Sequence, residues 1–223
     1  HPVMLSALVG LLYRLGASSV LIAESPGGIY NPQRLRATYD GCGITEAAEK
    51  SGAELNFDCA YGEQNAPNGK KSKVFEVIDP IAHAEVIVNL CKMKSHGLLT
   101  QSGAAKNFFG VIPGVLKVEM HARFPEPRDF AGMLCDLNEM LHEGREILHI
   151  CDGIIAMEGN GPTGGTPRKA GVVLVSRNPF NLDLAAAKIM NMEGRSELAS
   201  EAIERSWSPE NADGVSYTAR KPD

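Results

Sequence analysis

Residues 85–114 read EVIVNLCKMKSHGLLTQSGAAKNFFGVIPG, and the fold turns on how this stretch opens. Glu85 to Leu90 is the clearest buried strand in the chain, a short aliphatic run rich in β-branched residues. It passes directly into a segment rich in Gly and Lys. A strand that feeds such a loop is the building unit of an open α/β sheet, where ligands sit outside the carboxyl ends of the strands.

The same rhythm recurs on either side. Val3 to Leu15 carries apolar residues at helical spacing and stops at Gly16. Ser18 to Glu24 then reads as a strand that turns at Pro26-Gly27-Gly28. Ile44 to Ser51 predicts a helix, Ala53 to Asp58 a short strand, and Cys59 to Lys73 a polar, mobile loop. Downstream, Phe130 to His142 predicts a helix and Ile147 to Ile155 a strand that enters the Gly-rich loop 158–165. Gly171 to Ser176 predicts a strand and Asn181 to Met192 a helix. The expected fold class is α/β, with a mostly parallel sheet flanked by helices and ligand loops at the carboxyl ends of its strands. Residues 1–192 are expected to form this core domain. Residues 193–223 are expected to form a C-terminal helix and a polar tail, with the part after Trp207 too polar to pack. The abrupt ends read as those of a core cut from a longer protein.

Composition narrows the function. At 43% hydrophobic residues the chain can bury a full core. A net charge of −5 and a sequence pI near 5.7 argue against broad nucleic-acid binding, which shows as a basic face. No apolar run reaches the ~18 residues of a membrane span and no secretory signal opens the chain, so a cytoplasmic location is expected. The five cysteines are widely spaced and never fall as CxxC. That pattern is neither a disulfide framework nor a closed zinc or iron–sulphur site. Cys91 is the one nearest the basic segment and a candidate for a mixed His/Cys site.

Against the acidic whole, Cys91 to Arg128 sets Lys92, Lys94, Lys106, Lys117, Arg123 and Arg128 against only Glu119 and Glu126. Such an island concentrates anionic small molecules, so a carboxylate or phosphate ligand is expected. Ser102-Gly-Ala-Ala-Lys106 has the look of a phosphate loop, with backbone N–H groups and a lysine for an oxyanion, although the full GxxxxGK[ST] pattern is absent. A desolvated Lys106 would serve as nucleophile or anion anchor. His96 lies near Lys92 and Lys94, which would keep its imidazole neutral, the form needed by a general base or a metal ligand. His121 meets the same argument. In the second Gly-rich loop, Asp152, Glu158 and Asn160 offer oxygens that could orient a lysine or bind a hard cation. Phe108, Phe109 and Phe124 are read as core.

Together Lys94-Ser-His96, Gly103-Ala-Ala-Lys106-Asn-Phe-Phe-Gly110, Ile112-Pro-Gly114, His121, Asp152-Gly-Ile154, Met157-Glu-Gly-Asn-Gly-Pro162 and Asp183 resemble the signature of domain-of-unknown-function family 362. Members of that family are often fused to ferredoxin-type 4Fe-4S modules. This chain cannot hold such a cluster alone, so the resemblance implies a ferredoxin-type partner or a further fused module. More distantly, His96, Ser102 to Lys106, Pro113-Gly114 and His121 are similar in order to the core of the nickel-pincer lactate racemase family. That similarity implies His96 as catalytic acid/base, Lys106 as covalent cofactor anchor and His121 as a nickel ligand. The resulting candidates are His96 and Lys106 for catalysis, with His121 and His96 for a metal ion. Lys94, Ser102, Gly103, Lys106, Asn107, Gly114, Asp152, Glu158 and Asn160 are the candidates for binding a ligand or cofactor.

Two expectations from different classes follow. One is an enzyme core acting on a small carboxylate or phosphate compound through a His/Lys site. The other is a non-catalytic or electron-transfer-associated module that docks an iron–sulphur partner through the basic segment.

Overall fold

The computed structural model describes residues 1–218, so residues 219–223 of the expected polar tail lie outside the described residues. The chain opens with α1 (Pro2–Arg14), β1 (Leu21–Ile22), α2 (Pro32–Gly41), α3 (Ile44–Ser51), β2 (Glu54–Leu55), β3 (Tyr61–Asn65), β4 (Val74–Ile78) and α4 (Asp79–Ala82). It continues with β5 (Val86–His96), β6 (Thr100–Ser102), α5 (Ala104–Asn107), a short 3-10 turn, α6 (Leu116–Arg123) and α7 (Pro127–His142). The long strands β7 (Glu146–Asn160) and β8 (Gly164–Ser176), then α8 (Pro179–Ile189) and α9 (Glu197–Glu204), complete it.

The residues divide into two compact units. The first holds residues 1–64, 75–84 and 110–120; the second holds 65–74, 85–109 and 121–218. In the first unit, β1 and β2 pair in parallel over only two residues each. The strands expected at 18–24 and 53–58 therefore shrink to short pieces. Helix α1 starts at Pro2, whose missing N–H costs nothing in a first turn, and His1 Nδ1 accepts from Val3 N. Tyr39 is fully buried and donates to the Asn56 carbonyl at 3.0 Å, tying α2 to the end of β2. Gly114 belongs here: a Cβ on it would lie 2.2 Å from the Pro26 carbonyl oxygen and 2.5 Å from that of Gly28. Only glycine permits that approach.

The second unit is built on a four-stranded sheet in the order β6-β5-β7-β8. Only β5 and β7 run parallel, whereas β6 on β5 and β8 on β7 are antiparallel. The α/β expectation holds, but the sheets are mixed and small and not mostly parallel. The reason is local: β7 and β8 are joined by a tight hairpin, which forces antiparallel pairing. The Gly-rich stretch expected as a loop at 158–165 is largely that hairpin, paired from Ile155↔Lys169 to Asn160↔Gly164.

Strand β5 also continues beyond the expected Leu90 to His96, because Cys91, Met93 and Ser95 are buried while Lys92, Lys94 and His96 alternate with them toward solvent. Cys91, Met93, Cys151 and Ala156 pack against Ala104 of α5 and Leu182 and Ala186 of α8. The basic segment contains α5, α6 and the first two residues of α7.

Asp136 of α7 is the polar keystone of this unit. It is fully buried, accepts the backbone N–H groups of Lys70, Lys71 and Ser72 at 2.9, 2.5 and 2.8 Å, and pairs with Arg205 Nη1 at 2.7 Å. The loop 65–74 and the C-terminal end of α9 are thereby fixed to one carboxylate. The residues after Trp207 do pack in part: Ala212 is fully buried and Lys188 bonds Asp213 at 3.0 Å.

Candidate functional site

The site is assembled where β5 ends and α5 begins. Lys94 and His96 stand two residues apart on one face of β5, the spacing that aligns side chains on a strand. Helix α5 supplies Lys106, whose Nζ lies 4.8 Å from the ring centre of Phe109 and 5.8 Å from that of Phe130. His121 stacks on Phe130 with centroids 4.5 Å apart and planes within 6°, and meets Phe109 edge-on at 5.4 Å. Phe109 and Phe130 are buried, so Lys106 and His121 share one aromatic wall.

These groups also perturb one another electrostatically. Burial lowers the His96 pKa to about 4, with further lowering from Lys106, Lys94 and His121. Burial and Lys94 lower Lys106 to about 8. Lys94 is lowered by burial, and His121 by burial and then by Lys106. Among the described residues neither Lys94 nor Lys106 has a carboxylate partner.

The tautomer of His96 follows from its hydrogen bonds. Its Nδ1 accepts from the backbone N–H groups of Leu98 and Leu99 at 3.2 and 3.3 Å. An acceptor carries no proton, so the neutral ring holds its hydrogen on Nε2. In this form His96 offers a hydrogen-bond donor, and neither the free lone pair of a general base nor that of a metal ligand. His96 and His121 were expected as metal ligands. Yet among the described residues no group of three or more His, Cys, Asp or Glu is placed to hold an ion. Cys91 is not part of this cluster: it is buried on the opposite side of β5 from Lys94 and His96, and its thiol is pushed well up by its contact with Cys151 and by burial.

The phosphate-loop reading of Ser102 to Lys106 is corrected in a specific way. The backbone N–H groups of Ala104 and Ala105 are occupied by Asp183, at 2.6 Å to Oδ1 and 3.0 Å to Oδ2. A Cβ on Gly103 would lie 2.0 Å from the same carboxylate, so glycine is needed there for the protein's own acid. Burial pushes the Asp183 carboxyl up to about 7 against the pull of those two N–H groups. Ser102 is buried in β6 opposite Lys94.

Asn107 lies beyond Lys106 and donates to Asn89 Oδ1 at 2.7 Å. Asp152 does orient a lysine, but it is Lys92, at 2.9 Å, and its carboxyl is lowered because that bond and the Ile154 N–H outweigh burial. Glu158 and Asn160 are exposed on the β7–β8 hairpin, with Glu158 3.7 Å from Arg168. The structure thus brings together Lys94, His96, Lys106 and His121. Gly114 lies in the first unit. The contribution of Phe130 was missed, because its helical period marks it equally well as plain core.

With that geometry in place, comparison with known proteins is informative. The model of a family described as a domain of unknown function (DUF362) matches residues 1–188. The chain belongs to this family. It is also similar to the thylakoid-associated protein sll1697 of Synechocystis sp., at 37% identity over 111 residues, which is 49% of this chain and 34% of the relative. The match therefore spans about a third of that relative's length. No solved structure matches the chain. Among the described residues no helix is long and apolar enough to cross a membrane.

Proposed function

We propose that Lys94, His96 and Lys106 bind the anionic group of a small carboxylate or phosphate compound. The observation that supports this reading is the pair of partly buried ammonium groups without a carboxylate, set beside a neutral imidazole whose available nitrogen is a donor. Uncompensated buried charge is costly, and an incoming anion relieves that cost. His96 Nε2–H then acts as a neutral electrophile toward an oxyanion. Lys106, with a pKa near 8, populates both its ammonium and its free amine near neutral pH. It therefore either anchors the anion or moves a proton on the bound compound, which is the property an enzyme of this class needs.

The test is a titration with inorganic phosphate and with acetate, followed by NMR of the His96 ring. Saturable binding that is lost in Lys106→Met supports the reading. Binding that is absent in the wild-type chain, or unchanged in the variant, defeats it.

A second reading is a non-catalytic module that docks beside a ferredoxin-type iron–sulphur partner, the kind of partner the family resemblance implies. Docking charge must face solvent, however, and Lys106 lies against two buried rings. The small-ligand reading therefore comes first.

A further inference from the structure

A second place in the molecule has the makings of a ligand site. Within the second unit lies a cavity of about 440 Å³, a volume in the usual range for small-molecule pockets. Its apolar wall is Phe180 and Trp207, whose rings are 5.6 Å apart and tilted by 35°. Its polar wall is Asn138, Glu139, His142 and Glu143, with Arg177 and Asn178 beside them.

Beside Asn68, whose amide is both donor and acceptor, the hydrogen bonds at that wall leave acceptors at Asn138 and at the two glutamates. The amide nitrogen of Asn138 donates to the carbonyls of Ala105 at 3.0 Å and Leu134 at 2.8 Å. Turning the amide over would set its oxygen against both carbonyls, so its orientation is fixed. Asn138 Oδ1 is consequently a buried acceptor without a donor in the protein.

His142 has nothing to give. Asn89, already donating to the Ala104 carbonyl, presents its amide nitrogen to His149 Nδ1 at 2.9 Å. His149 therefore carries its proton on Nε2 and donates it to His142 Nε2 at 3.0 Å. That leaves the His142 proton on Nδ1, where it is spent on the Asn138 carbonyl at 2.6 Å. The Asn178 side chain is likewise spent, on the Trp207 carbonyl and on the N–H groups of Phe180 and Asn181. Arg177 is held by Glu146 at 2.5 Å. Glu139 and Glu143 have no ion-pair partner among the described residues.

We propose that this cavity binds a small, flat, cationic nitrogen compound, an aromatic ring bearing an amidine-type or protonated amino group. The ring would lie against Trp207 and Phe180, and its N–H groups would meet Asn138 Oδ1 and the carboxylates of Glu139 and Glu143. A carboxylate or phosphate compound would face two like charges and an orphaned acceptor, which sets this site apart from the cluster around His96.

The chain contains a single tryptophan, so the one indole N–H resonance reports on this cavity directly. The test is an NMR titration with benzamidine, using benzoate as its counterpart of similar shape and opposite charge. The expected result is a saturable shift of the Trp207 indole signal with benzamidine, with a Kd of ~1 mM or tighter, and none with benzoate. Glu139→Gln and Glu143→Gln should each weaken benzamidine by about fivefold, with the remaining amide spectrum showing an intact fold. Benzoate binding as well as benzamidine, no saturable shift with benzamidine, or indifference to both substitutions would overturn the proposal.

Discussion

Replacing Lys106 by Met removes its charge while keeping an unbranched side chain against Phe109 and Phe130, and the structure sets the size and sign of the effect. The Lys106 pKa falls from its ordinary 10.5 to about 8. At roughly 1.4 kcal/mol per pH unit this corresponds to about 3 kcal/mol of strain in the charged folded form. The lost contacts between the ammonium and the rings return about 1 kcal/mol. Lys106→Met should therefore be more stable than the wild type by about 2 kcal/mol near neutral pH. Because the folded pKa is depressed, the unfolded chain holds a proton between about pH 8 and 10.5 that the folded chain has shed. Wild-type stability thus gains on rising pH across that window relative to the variant, and the advantage of the variant disappears by its upper end. Urea unfolding of both proteins in phosphate-free buffer, at neutral pH and at two alkaline values, measures this. A variant less stable at neutral pH, with a difference that does not change on alkalinisation, would refute the account of Lys106 as a buried cation without a partner.

Other substitutions probe different parts of the account. His96→Phe should weaken phosphate by about tenfold or more, whereas His96→Gln, which keeps an N–H donor, should retain part of the affinity; isothermal titration reads both. Asp136→Ala leaves three backbone N–H groups without their acceptor and Arg205 with Glu201 as its remaining carboxylate, and should cost about 3–5 kcal/mol in urea unfolding. Gly103→Ala drives a methyl into the Asp183 carboxylate and should lower the melting temperature markedly, whereas Gly159→Ala, on the exposed hairpin, should act only through its positive φ and cost less. In acid, His96 at about 4 and His149 at about 3, with His121 and His142 also lowered, leave the unfolded chain binding more protons below about pH 6.5. Asp183, raised to about 7, acts in the opposite sense, so the sum should be a progressive loss of stability from about pH 6.5 down to about 4.

The strand at Glu85 to Leu90 and the helix at Phe130 to His142 were legible because a continuous apolar run and a helical period survive any tertiary context. Less was read from Cys91 to His96 than it contained. Cys91, Met93 and Ser95 alternate with Lys92, Lys94 and His96, a strand period that glycine and lysine content alone obscures. Reading it would have placed Lys94 and His96 side by side. Asp183 was not legible as the cap of α5, since 79 residues separate it from its partner Ala104 and no local pattern links them. The antiparallel β7–β8 hairpin was hidden for a related reason: its glycines look like loop and its pairing register is a nonlocal fact. Lys92 and Lys94 are the expected cause of a neutral His96, whereas burial acts first and then Lys106, Lys94 and His121; its tautomer depends on Leu98 and Leu99 folding back onto Nδ1, which residue types do not reveal.

That tautomer is the point on which the site turns, and nitrogen-15 NMR of the His96 imidazole at neutral pH, with and without inorganic phosphate, observes it directly. The account predicts a neutral ring protonated on Nε2 in both samples, with the Nε2–H signal shifting saturably as phosphate is added. A ring protonated on Nδ1, or an Nε2–H signal indifferent to phosphate, would contradict it.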